Sequence, residues 1–132
     1  MTNFVFDTNI VSFLVEHNPT VRSYMNQRVT AEDTVLGCPT VWHEVLRGLR
    51  AKDAHRKMTY FQTLFATFEW QDYVQQDWDL AASLWASRRA TGRPISDGDL
   101  LIATFAINRN AILVTDNTKD FSGLHVNLEN WR

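Results

Sequence analysis

Residues 3–6 (Asn-Phe-Val-Phe) and 111–115 (Ala-Ile-Leu-Val-Thr) are too short to be helices and lack the polar alternation of a strand with one wet face. Runs of this kind suit strands buried on both faces, which occur in parallel sheets covered by helices. Three further segments fit the same role: Thr34 to Cys38, bounded by Gly37 and Pro39; Glu69 to Val74; and Leu124 to Leu128. Between them lie helical patterns. Ile10 to Glu16 is one, and Thr40 is placed to cap another that ends near Ala51 with Trp42, Val45, Leu46 and Leu49 on one stripe. Tyr60 to Phe68 repeats that spacing, Asp77 to Thr91 places Trp78, Ala81, Ala82 and Trp85 on a stripe closed by Gly92, and Ser96 caps a helix running to about Arg109. Strands alternating with helices predict a three-layer α/β/α domain with a mainly parallel sheet of about four to five strands.

Length keeps this to one unit. With 132 residues, 45% hydrophobic and 21% charged, the chain has enough core for a single domain over 1–132. Its lone cysteine, Cys38, excludes an internal disulfide and reads as a small core residue in a reducing compartment. Nothing resembles a membrane span or a signal peptide, so a cytoplasmic protein is expected. A net charge of -2 provides no global attraction to nucleic acid, so any such contact must be local. Glycine-rich phosphate cradles and the Gly-x-Ser-x-Gly elbow are absent, and His43-Glu44-Val45-Leu46-Arg47 misses the zinc-protease pattern at its fifth position.

What remains is acidic. Asp7 and Asp116 directly follow apolar runs, and Asp97 and Asp99 open a helix that is apolar nearly all round. In parallel sheets, ligands bind beyond the carboxyl ends of the strands, which draws these four carboxylates toward one edge. Desolvated, mutually repelling carboxylates either gain protons or bind a cation, and hard oxygen donors favour magnesium, with manganese as substitute. Two residues along a helix are about 200° apart, so Asp97 and Asp99 cannot share a face. Asp99, in phase with Ile102, Ala103 and Ala106, is the expected direct ligand beside Asp7, with Asp97 further out. Helical phase places Glu44 opposite its apolar stripe, facing solvent, and Asp120 reads as a solvated acid.

Phe6-Asp7-Thr8-Asn9, Val41-Trp42-His43-Glu44-Val45, Pro94-Ile95-Ser96-Asp97-Gly98-Asp99-Leu100-Leu101-Ile102-Ala103 and Leu113-Val114-Thr115-Asp116-Asn117-Thr118-Lys119-Asp120-Phe121 occur in that order. Together with the closing Glu129-Asn130-Trp131, they make the chain resemble a PIN-domain ribonuclease of the VapC toxin type. The resemblance implies a magnesium-dependent endoribonuclease, the toxin of a toxin-antitoxin pair, silenced by a cognate antitoxin and often dimeric, with transfer RNA as a substrate. It places catalytic acids on Asp7, Glu44 and Asp99 and a fourth in the Thr115 to Asn117 turn, where Asp116 or Asn117 fills the position. Asn9 and Thr115 are then expected to orient the carboxylates. Arg47, Arg50 and Lys52, with the adjacent Arg56 and Lys57, and Arg88, Arg89 and Arg93 are the expected contacts to RNA backbone.

Two rivals stand beside it. A phospho-acceptor receiver domain fits poorly, because Asp7 lacks an acidic neighbour and Lys119 lies four residues past the last buried strand. A catalytically silent RNA-binding or protein-interaction module of the same fold differs only in activity. Eight Phe, five Trp and three Tyr are a heavy aromatic load for so small a core, so some are expected at the surface under a partner.

Overall fold

The computed structural model describes residues 1–132. Five parallel strands form one sheet in the order β3-β2-β1-β4-β5: β1 (Asn3–Phe6), β2 (Thr34–Gly37), β3 (Glu69–Trp70), β4 (Ile112–Val114) and β5 (Asn127–Glu129). Six helices cover it: α1 (Thr8–Val15), α2 (Pro19–Arg28), α3 (Pro39–Ala51), α4 (His55–Phe65), α5 (Gln75–Ala90) and α6 (Asp97–Asn108). The expected three-layer architecture is present, with all strands parallel. Chain direction across the sheet reverses at the β1–β4 pair, leaving a crevice beyond their carboxyl ends.

The core explains the central strands. Phe4, Val5, Phe6, Leu113 and Val114 are all but inaccessible, and the side chain of Trp131 packs on Phe6 at 5.0 Å between ring centres. α6 is buried over Ile102 to Ala106, as its all-round apolar sequence requires. Ser96 caps it, accepting a hydrogen bond from the Asp99 amide at 3.3 Å. Gly92 closes α5 with φ of +71°, a conformation a side chain would strain.

Two helices depart from expectation for physical reasons. α2 was not foreseen, because Val21 is its only buried residue and the rest is polar. Its signal is terminal: the Asn18 side chain accepts from the Val21 amide and Pro19 occupies the first turn. Of the expected α5 stripe only Ala81 is buried, and Trp78 and Trp85 face outward, 51% and 44% exposed. The face of α5 that turns inward instead carries Asp77, fully buried.

Asp77 is held by an ion pair. Arg109 donates to both of its oxygens at 2.9 Å, Asn108 Nδ2 adds 2.8 Å and the Val74 amide 2.9 Å. Burial alone would raise the pKa of Asp77; these donors outweigh it and hold the carboxyl below the usual carboxylate range. Replacing Arg109 by methionine leaves a buried carboxylate without its partner and is expected to cost about 3–5 kcal/mol in chemical denaturation. A loss under 1 kcal/mol would show that Asp77 finds other compensation.

Candidate active site

Asp7 ends β1 and caps α1, its Oδ1 accepting from the Thr8 amide at 2.8 Å. Beside it, at the end of β4, the buried Thr115 hydroxyl donates to Asp7 Oδ2 at 2.7 Å. The start of α1 and the residue after β4 thus fix both oxygens of one carboxylate. Glu44 arrives from α3, and its Oε1 accepts from the Thr8 hydroxyl at 2.6 Å. Asp99 comes from the first turn of α6. All three line one open cleft of about 480 Å³, together with Asn9, Asn117 and Asp120.

Glu44 therefore faces the cleft, not solvent, with 21% of its side chain exposed. The expected stripe on α3 omitted Val41, which is 1% exposed. Including Val41 widens the buried face to within about 60° of Glu44, because consecutive residues turn by about 100°. Gly98 completes the approach: a Cβ there would overlap Glu44 Oε2 and meet its Cδ at 3.3 Å. Only the missing side chain lets the start of α6 abut this carboxylate.

Of the two positions expected for the fourth site residue, Asn117 lines the cleft and Asp116 does not. Asp116 lies outside the cleft lining, where Asn9 Nδ2 hydrogen-bonds to its Oδ1 and Arg132 stands 3.9 Å from Oδ2. Asp120 occupies the cleft instead, brought there by a single 3-10 turn (Thr118–Phe121) and hydrogen-bonded by Asn117 Nδ2. The sequence signal was the three-residue step from Asn117 to Asp120. Asp97 is not an outer member of the site either. It lines an apolar groove with Trp78, Trp85 and Leu101.

Several basic residues are otherwise engaged. Arg88 donates to the carbonyls of Arg93, Ser122 and Asp120 at 2.7–3.4 Å, and Arg93 reaches the Ser122 hydroxyl at 2.8 Å. These two fasten the loop after α5 to the 3-10 turn that carries Asp120. Arg89 packs over Trp85 at 5.3 Å. Arg47 stays at the cleft, 3.8 Å from Glu44 Oε2, and shares a shallow hollow on α3 with Arg50. Lys52 lines an adjoining groove that also contains Glu44.

Charge is costly here. Burial pushes the Asp7 carboxyl up to about 6; Thr115 and Thr8 pull it down, and Asp99 and Glu44 add repulsion. Burial likewise raises Asp99, opposed by Ser96 and reinforced by Asp120 and Glu44. Because the folded-state value of Asp7 exceeds the ordinary 3.8, its contribution to stability is full below pH 3.8 and is lost as pH rises through 6. Without divalent cation, Asp7→Asn is therefore expected to be more stable than the parent at pH 7.5, by up to roughly 3 kcal/mol, and no more stable near pH 4. Melting with chelator at both pH values checks this; a variant no more stable at pH 7.5 contradicts it.

The donor set suits a hard cation. Asp7, Glu44, Asp99 and Asp120 supply only oxygens, and the buried Oδ1 of Asn9, on the same wall, has no hydrogen-bond partner. No three acids, histidines or cysteines approach closely enough to form a ready-made cage. Carboxylates that repel one another are expected to stand apart until a cation draws them in.

A family model described as the PIN domain matches residues 4–124. Ribonuclease VapC2 of Rickettsia felis is 28% identical over 132 residues, covering 97% of each chain. The tRNA(fMet)-specific endonuclease VapC of Shigella flexneri is 25% identical over 122 residues, 92% of this chain and 91% of that one. The crystal structure of VapBC2 from Rickettsia felis bound to a promoter DNA fragment superposes with a TM-score of 0.90 at 24% identity, covering 99% of this chain and 100% of that one. At that identity the likeness is one of fold. Taken with a family match that runs from β1 past the 3-10 turn and so spans every acid of the cleft, this means that the chain belongs to the PIN domain family.

Proposed function

We propose that this chain is an endoribonuclease that hydrolyses RNA phosphodiester bonds with a divalent cation, magnesium or manganese, and that it is the toxin of a toxin-antitoxin pair. The observation that carries the catalytic reading is the convergence on one cleft of Asp7, Glu44, Asp99 and Asp120 from separate elements, with Asp7 desolvated; the fifth acid of the lining, Glu16, is paired with Lys57. Asp7 and Asp99 would hold the cation, with Glu44 and Asp120 beside them. Bound there, the cation supplies charge neutralisation at the scissile phosphate and lowers the pKa of water.

The chain's own residues do the rest. Thr8 and Thr115 clamp Asp7, so its oxygens need little reorganisation on binding. Thr8 also orients Glu44, leaving Oε2 to face the start of α6 and accept a proton from water. Asn9 presents its unpaired carbonyl oxygen as a neutral acceptor. Arg47, Arg50 and Lys52 are the basic residues at or next to the cleft and would meet RNA backbone.

Transfer RNA is the proposed substrate class, supported by the name of the Shigella flexneri relative. An antitoxin partner is supported by the solved toxin-antitoxin complex from Klebsiella pneumoniae, whose chain shares this fold with a TM-score of 0.76, and by outward-facing Trp70, Trp78 and Trp85. A homodimer or toxin-antitoxin hetero-oligomer and a cytoplasmic site of action complete the proposal; no helix is long and apolar enough to cross a membrane. Purified protein incubated with transfer RNA and magnesium should yield discrete fragments that chelator suppresses, and magnesium alone should raise the melting temperature of the parent more than that of Asp7→Asn. RNA bound but never cut would leave the silent binding module as the reading.

A further inference from the structure

Outside the cleft, one side chain bonds to both helices that flank it. Tyr73 lies in the loop between β3 and α5, and its ring is half-buried against Phe105 of α6 at 5.6 Å, edge to face. Its hydroxyl donates to the Leu101 carbonyl of α6 at 3.2 Å. That uses its single proton, so the contacts to Thr40 Oγ1 at 2.6 Å and Cys38 Sγ at 3.3 Å are bonds it accepts from the start of α3. Burial pushes this hydroxyl well above its usual value, so the proton stays in place.

We infer that Tyr73 is a positioning residue for the nuclease site, its hydroxyl setting the separation between the helix that carries Glu44 and the helix that carries Asp99. Thr40 lies one turn before Glu44 on α3, and Leu101 lies two residues after Asp99 on α6. The spacing matters because the Glu44 carboxylate, in its bond to Thr8, lies directly against Gly98 of α6, so a shift of α6 relative to α3 changes where that carboxylate sits.

The strut is itself anchored. Arg109, locked on buried Asp77, donates from Nε to Gln71 Oε1 at 2.8 Å and from Nη2 to the Asp72 carbonyl at 3.1 Å, on the residues just before Tyr73. On the other side, the Val74 amide bonds Asp77 at 2.9 Å. A buried ion pair remote from the acids thereby fixes the loop from which the hydroxyl is presented.

The inference rests on the nuclease reading above, and the test separates the two. Tyr73→Phe removes one oxygen and keeps the ring; Thr40→Val removes the partner hydroxyl and keeps Tyr73. In each folded variant, kcat at saturating RNA and magnesium should fall roughly 10- to 100-fold with KM within about twofold of the parent, since neither residue lines the cleft. The double variant should be no worse than the poorer single one, and Thr40→Ser should keep activity. In amide spectra without metal, Gly98 and Asp99 should shift in Tyr73→Phe. If the parent cleaves no RNA, the nuclease reading fails and the amide shifts alone decide the strut. Unmoved Gly98 and Asp99 amides, or an active parent with kcat unchanged in both single variants, would overturn it.

Discussion

Asp99→Asn is expected to reduce RNA cleavage about 1,000-fold, whereas Asp97→Asn stays within about twofold of the parent. The acids are two residues apart on α6 and hence point about 200° apart. Asp99 faces Asp7 and Glu44 across the cleft, and Asp97 faces the exposed Trp78–Trp85 groove. Asparagine preserves shape while removing the charge needed to hold a cation, and because that charge is costly in the folded state, melting temperature without cation should not fall. A single cleavage assay on both variants is decisive. Equal losses would contradict the assignment of one face to chemistry, and full activity in Asp99→Asn would remove the site altogether.

Gly98→Ala is expected to abolish most cleavage without unfolding the protein. The new methyl group would meet the far end of the Glu44 side chain, which is free to swing aside. Moving it costs little stability, and alanine is a better helix residue than glycine by up to about 1 kcal/mol, so the variant should melt at or above the parent temperature. Function bears the damage, because Glu44 leaves its bond to Thr8 and its place beside α6. A displacement of about 1 Å can cost about 100-fold in rate. A destabilised Gly98→Ala that keeps its specific activity would show the reverse balance and refute the close-contact reading.

How far sequence alone could reach follows from which forces act locally. Buried strands announce themselves by unbroken apolar runs, so Phe4 to Phe6 and Leu113 to Val114 were legible, and Asp7 just beyond the first of them followed from the crevice rule. Ser96 capping α6 was legible because a cap is a local bond. Glu44 was not, since its direction depends on where α1 and α6 press on α3, and its resemblance to family members placed it better than helical phase did. Asp120 was passed over in favour of Asp116 because one 3-10 turn decides which acid enters the cleft. The burial of Asp77 was not legible, because its partner Arg109 is 32 residues away. Arg88 and Arg93 looked free in a basic cluster, and only tertiary structure reveals the carbonyls and hydroxyl they bind.

The central claim is that this carboxylate cleft directs water onto an RNA phosphodiester bond with a divalent cation. Cleavage in 18O-enriched water with magnesium, followed by mass spectrometry of the fragments, tests it most directly. One 18O atom is predicted in the single terminal phosphate left at each cut, the opposite end being an unlabelled hydroxyl, with labelled product lost on adding chelator or in Asp99→Asn. Unlabelled cyclic phosphate ends, formed by attack of the ribose 2′-hydroxyl and unaffected by chelator or by Asp99→Asn, would contradict it.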